Sequence, residues 1–205
     1  MRSHVAEDIH TTILDWLRDY VAKPHPDIGR GGAVCPFALP ALKDEAIEIR
    51  TRWLGIDPTQ AEITAVIRGA VDSYDDVQWR NSNPMLRSLV IALPDLPDEC
   101  LELLDAAHAA IKSYVVGRGL MIGQFHARCT EPAARNSSFM VSRSPVPLVA
   151  IRSMALHDIL FLHEGREWFG EYATRFGHRY VADRAVDPAF AGAYARASEN
   201  FGPQN

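Results

Sequence analysis

Disulfides are the first thing the sequence lacks. Its 205 residues hold three cysteines, Cys35, Cys100 and Cys129, an odd number without paired spacing, so no disulfide framework organises it. No CxxC and no repeated Cys/His pair marks a structural zinc site. No apolar run approaches the roughly 20 residues that a membrane-spanning helix needs. Positive charge is also short: the formal net charge is −5, which argues against a general nucleic-acid binder. The opening MRSHVAEDIHTTILDW mixes acids with its apolar residues, unlike a signal or transit peptide. Internal repeats, low-complexity tracts and linkers are missing too. The expectation is a reduced cytoplasmic protein without a membrane or nucleic-acid partner. It reads as one folded unit over 1–205, with 197–205 as a frayed tail.

The familiar catalytic signatures are equally scarce. Asp27–Phe37 (DIGRGGAVCPF) imitates a P-loop, but the Gly-Lys-Ser/Thr ending and the preceding strand are missing. It reads as a mobile or ligand-approaching loop that ends in a buried Cys-Pro-Phe turn. There is no GxSxG elbow and no HExxH helix. His157 and His163, beside Asp158 and Glu164, lack a recognisable metal-ligand spacing and are set aside.

What is present is a mixture of periodicities. A hydrophobic fraction of 47% supplies an ordinary core. Val5, Ile9, Ile13, Trp16, Leu17 and Tyr20 recur every three or four residues, which predicts a helix over 5–22. Pro24 and Pro26 stop it. Ala46, Ile47 and Ile49 suggest a short strand, although the charge spacing there also permits a helix. Asp57-Pro58 reads as a helix start with Asp57 as cap. Ser88–Leu93 reads as a buried strand, and 97–115 as a helix ended by Gly117 and Gly119. Further helices are expected over 156–162, 164–176 and 188–198. Strands and helices interleave, so the fold class is α/β or α+β, with a small central sheet of three to five strands flanked by helices.

One stretch concentrates chemistry. Leu120–Phe125 predicts a strand that delivers His126 at its end; Val146–Ile151 predicts another. Between them lies a polar loop with Arg128, Cys129, Arg135 and Arg143. A strand-end imidazole can ligate a metal or haem iron, or move a proton near neutral pH. A hydrogen-bonded structural histidine is the weightier reading from chemistry alone, since the chain has eight histidines. Two converging guanidinium groups would bind a carboxylate or propionate. Their alternative is a solvated loop paired with the acidic surface. Cys35 lies near Arg30, whose charge would favour a thiolate; the bland reading is a small buried hydrophobe. Cys129 and Cys100 read as packing residues.

The motifs VCPFALPAL, GQFHARC and RSPVPLVAIR resemble an uncharacterised bacterial family with Cys-Pro-Phe, Gly-Gln-Phe-His-Pro and Ser-Pro-Val-Pro segments. That pattern is distantly similar to the YqcI/YcgG proteins, some of which are haem-dependent oxygenases that hydroxylate nitrogen on amino acids in natural-product pathways. The resemblance implies a monooxygenase with b-type haem (heme b) and a small amino acid-type substrate. It makes His126 the proximal iron ligand. Arg135 and Arg143 would hold haem propionates or a substrate carboxylate, with Cys35 at the Cys-Pro turn; Arg128 and Arg30 are expected at the substrate. Ala127 departs from the pattern, standing where a proline usually follows the histidine. Two other readings stay open. One is a transferase or hydrolase with Cys35 as nucleophile and His126 or His25 as base. The other is a small-molecule binding or accessory protein without catalysis. A homodimer is compatible with either.

Overall fold

The computed structural model describes residues 2–80, 83–181 and 185–202. Its contacts group the chain into two compact units: Met1–Ile111 with Ile122–Ser153, and Lys112–Met121 with Met154–Asn205.

The first unit carries the sheet. Helix α1 (Arg2–Trp16) runs into a wider π turn, Leu17–Val21, followed by α2 (Ala38–Lys43), β1 (Ile47–Thr51), α3 (Gln60–Asp72) and β2 (Ser88–Ala92). Next come α4 (Leu101–Gly117), β3 (Leu120–Phe125), a short ribbon of β4 (Pro132–Ala133) and β5 (Asn136–Met140), and β6 (Leu148–Ser153). The strand order is β1-β2-β6-β3. Strand β1 runs parallel to β2, and β2 runs antiparallel to β6 with Leu89 opposite Ile151. A parallel pair needs a crossover, and α3 supplies it between β1 and β2. The mixed α/β class and the four-stranded sheet agree with the sequence.

Alternation along the strands explains the layering. Val90 and Ala92 of β2 join Leu148 of β6 in a cluster with Ile13, Leu17 and Val21 from the first helix. Leu89 and Ile91 point to the other face and are also buried, on the side where α3 touches β2. Burying an Ile or Leu contributes about 1.5–3 kcal/mol, so this double-sided burial makes β2 the spine of the unit.

Several local expectations need correction. The cap of α3 is Thr59, not Asp57: its hydroxyl accepts the Glu62 N–H at 3.3 Å, while the Glu62 carboxylate accepts the Thr59 N–H at 2.8 Å. This reciprocal capping box satisfies two orphan donors, which an Asp-Pro pair cannot. The polar loop after His126 is partly ordered as the β4–β5 ribbon. Gly29 has φ +77°, and a Cβ there would lie 2.5 Å from the Arg135 carbonyl oxygen. The glycine therefore serves a close approach to this ribbon. The Cys-Pro-Phe turn is only half-buried at Cys35.

The second unit is helical: the last turns of α4 with α5 (Ile159–Leu162), α6 (Arg166–Phe176) and α7 (Pro188–Phe201). Val116, Met154, Ile159, Phe169, Tyr172 and Ala197 are among its core residues. The Asp187 carboxylate accepts the Ala189 N–H at 2.8 Å, with Pro188 at the first helical position, a cap suited to that residue pair. The expected frayed tail is helical as far as Phe201, and Ala197 is fully buried; 203–205 lie outside the described residues. Among the described residues no helix is long and apolar enough to cross a membrane.

Candidate functional site

Strand β3 presents side chains alternately. Phe125 packs edge-on against Trp16 of α1, with ring centroids 5.5 Å apart. Gln124 and His126 point the other way and are buried. Past Phe125 the chain leaves the sheet but stays tethered. The His126 N–H donates to the Ser142 carbonyl (3.3 Å), and the Ser144 N–H donates to the His126 carbonyl (3.4 Å). The Cys129 N–H also donates to the His126 carbonyl, at 3.1 Å. That tight turn, His126-Ala127-Arg128-Cys129, brings a thiol back beside the ring.

The third member comes from α4. Leu101, Leu104 and Ala107 form its buried stripe, and Asp105 sits at the edge of that stripe. His126 Nε2 lies 3.0 Å from Asp105 Oδ1; the histidine side chain is 2% exposed and the aspartate 38%. Nδ1 of the same ring is buried without a hydrogen-bond partner. One ligand atom each from Asp105, His126 and Cys129 lie within 4.8 Å of one another. A buried polar atom left unpaired costs about 1–3 kcal/mol, so the cluster as it stands is incompletely satisfied. Burial pushes the Cys129 thiol up; a hydrogen bond with the Glu131 backbone and the Arg143 charge oppose that, while the Asp105 and Glu131 carboxylates add to it.

A cleft of about 490 Å³ lies along α1 and β5, lined by Trp16, Tyr20, Ser138, Phe139, Met140, Arg143, Ser144 and Pro145. Its aromatic walls are pinned to the loop. Trp16 Nε1–H donates to the Arg143 carbonyl, and Tyr20 O–H to the Val141 carbonyl, both at 3.0 Å. The His25 ring stacks on Phe139 with centroids 4.3 Å apart. The exposed Arg143 is the one guanidinium in this lining. Its side chain has no hydrogen bond or ion pair among the described residues.

The residues singled out from sequence divide among these places. His126 reaches the buried cluster and Arg143 the cleft. Arg30 is turned onto its own loop, donating to the Gly31 and Val34 carbonyls at 2.9 Å each. Arg135 is on the ribbon turn against Gly29. Arg128 is exposed in the turn after His126. Cys35 packs against the α1 core cluster, and no hydrogen bond joins it to His126 or His25 among the described residues. Sequence reasoning missed Asp105 and took Cys129 for a packing residue. The His-x-x-Cys spacing in GQFHARC was the available signal for the thiol. Asp105 offered only the oddity of an acid bordering the apolar stripe of a helix.

A haem would make different demands on these residues. A proximal histidine needs a ring nitrogen facing a flat apolar slot. His126 is nearly closed to solvent, its Nε2 meets the Asp105 carboxylate, and it is not among the residues that line the cleft. A ring so enclosed, with Nε2 against a carboxylate, does not fit a porphyrin face.

The profile of a domain of unknown function, DUF6875, matches residues 10–187. The chain belongs to that family. The match takes in every element of the sheet and both polar sites of the first unit of this DUF6875 chain. No curated protein matches it. No solved structure matches it either.

Proposed function

We propose that the protein is an enzyme acting on a small, carboxylate-bearing substrate of the amino acid kind, with Arg143 as the anion anchor and His126 at the reaction centre. One observation carries this reading: the clasp between the two sites. Ser142 and Ser144 are both hydrogen-bonded to the backbone of His126, so Arg143, the residue between them, is held at a fixed place along the strand end. Arg143 lines the cleft, and its charge is felt at the Cys129 thiol.

The chemistry of each part suits its role. The Arg143 guanidinium, unpaired among the described residues, offers paired, charge-assisted donors to a carboxylate. The cleft volume falls within the range of about 300–1,000 Å³ typical of small-molecule sites. Trp16, Tyr20 and Phe139 give it apolar walls of limited flexibility, which favour a ligand with an apolar body. Asp105 orients the His126 ring, as carboxylates do for imidazoles that handle protons. The resemblance to YqcI/YcgG proteins favours an amino acid-type substrate; the haem it also implies is not part of this reading.

Thermal-shift screening of amino acids against their carboxamides tests the reading. Free carboxylates should stabilise the wild type, carboxamides should not, and Arg143→Gln should abolish the response without lowering the Tm of the unliganded protein. Equal responses from acids and amides would overturn the assignment of Arg143.

A further inference from the structure

We propose that Asp105, His126 and Cys129 bind one borderline-soft divalent cation of the zinc kind. The purpose given to the ion rests on the reading of His126 as the reaction centre; its binding is argued from the cluster alone.

The donor set comes first. Imidazole nitrogen, thiol sulfur and carboxylate oxygen are the three protein ligand types that zinc accepts, and sulfur disfavours calcium and magnesium, which prefer oxygen shells. Geometry comes next. Bond lengths of about 2.0–2.3 Å around a tetrahedral ion place its donors roughly 3.3–3.7 Å apart. The closest pair here is 3.0 Å apart, and all three donor atoms lie within 4.8 Å. The side-chain torsions of Asp105 and Cys129 are the freedoms that would close that difference.

The frame is also rigid where a metal site needs it. His126 is fixed by backbone hydrogen bonds to Ser142 and Ser144, and Cys129 by its own bond to the His126 carbonyl. Asp105 projects from the interior of a helix. An ordinary buried Asp–His pair beside an inert thiol is the competing explanation. That pairing accounts for Nε2 and the carboxylate, and it gives no reason for a buried thiol to lie within 4.8 Å of both. A shared cation supplies that reason.

Three protein ligands leave a fourth position, as in catalytic rather than structural zinc sites. His126 and Cys129 are closed to solvent, whereas the Asp105 side chain is 38% exposed. Water therefore reaches the ion from the Asp105 side. A cation there would polarise a bound water or a substrate oxygen, which places the chemistry among hydrolytic or lyase reactions of the carboxylate substrate.

The test uses the full chain, stripped with a chelator and titrated with cobalt(II), which replaces zinc and reports thiolate ligation by a charge-transfer band. The wild type should bind one ion per chain with that band, and zinc should displace it. Cys129→Ser should lose the band and bind about 100-fold more weakly or worse. Asp105→Asn, at a partly exposed position that tolerates change, should keep the band and bind about 10–100-fold more weakly; it serves if the serine variant does not fold. Cys35→Ala should match the wild type. A wild type without the band, a band that survives Cys129→Ser, or wild-type affinity in Asp105→Asn would each overturn the site. Loss of the ion with carboxylate stabilisation intact would sink only this proposal; the reverse result would sink only the assignment of Arg143.

Discussion

In the second unit Asp158 is fully buried, yet its carboxylate accepts the Ala155 N–H at 2.7 Å and meets His157 Nε2 at 3.3 Å. Beside it, the Tyr172 hydroxyl donates to the Leu156 carbonyl at 2.6 Å and lies 2.6 Å from the Tyr180 hydroxyl. In the first unit His126 is almost as deeply buried, but among the described residues its Nδ1 has no hydrogen-bond partner. Both clusters bury polar groups at a desolvation cost. One recovers that cost through its own neighbours, the other does not. The contrast is between a polar cluster closed by its own neighbours and one with an unpaired nitrogen among the described residues.

The largest expected effect lies in the satisfied cluster. Asp158→Ala removes the acceptor of the Ala155 N–H and the partner of His157, and should destabilise the protein by about 3–5 kcal/mol. Chemical denaturation would measure it; a change below about 1 kcal/mol would erase the distinction between the clusters.

Tyr172→Phe should cost less, about 1–3 kcal/mol at neutral pH, and should also change the alkaline limb. Burial first, then the Tyr180 contact, pushes the Tyr172 hydroxyl far above its ordinary value of 10.0. Below about pH 10 both folded and unfolded chains keep that proton, so its full contribution is present. As pH rises above 10 the unfolded chain ionises first and stability falls. Tyr172→Phe should therefore show a shallower loss above pH 10 in a series of unfolding curves. An alkaline limb identical to the wild type would contradict the shift.

The smallest expected effect lies in the unsatisfied cluster. In metal-free buffer Cys129→Ser should change stability by about 1 kcal/mol or less, since a serine hydroxyl can keep the thiol's contacts with the Gln124 carbonyl and the Glu131 backbone. With zinc added, only the wild type should gain stability by mass action. A large loss without metal would make Cys129 a folding residue and blur the comparison.

The sequence revealed the fold better than the site, for physical reasons. Strands β2, β3 and β6 are continuous apolar runs, and α4 and α6 carry helical stripes, so local periodicity located them. The cap of α3 was misplaced because Asp-Pro and Thr-x-x-Glu both signal a start, and only the latter satisfies two N–H groups at once. His126 was visible at its strand end, but its partners were not. Asp105 lies 21 residues away on another element, and local pattern says nothing about such a pairing. The arginines looked convergent in sequence; Arg30 is instead consumed by carbonyls of its own loop.

X-ray absorption at the zinc edge on the reconstituted full chain tests the central claim most directly. The account predicts one sulfur at about 2.3 Å and nitrogen or oxygen neighbours at about 2.0–2.2 Å, with the sulfur lost in Cys129→Ser. A shell of oxygen and nitrogen alone, or a sulfur that persists in that variant, would contradict it.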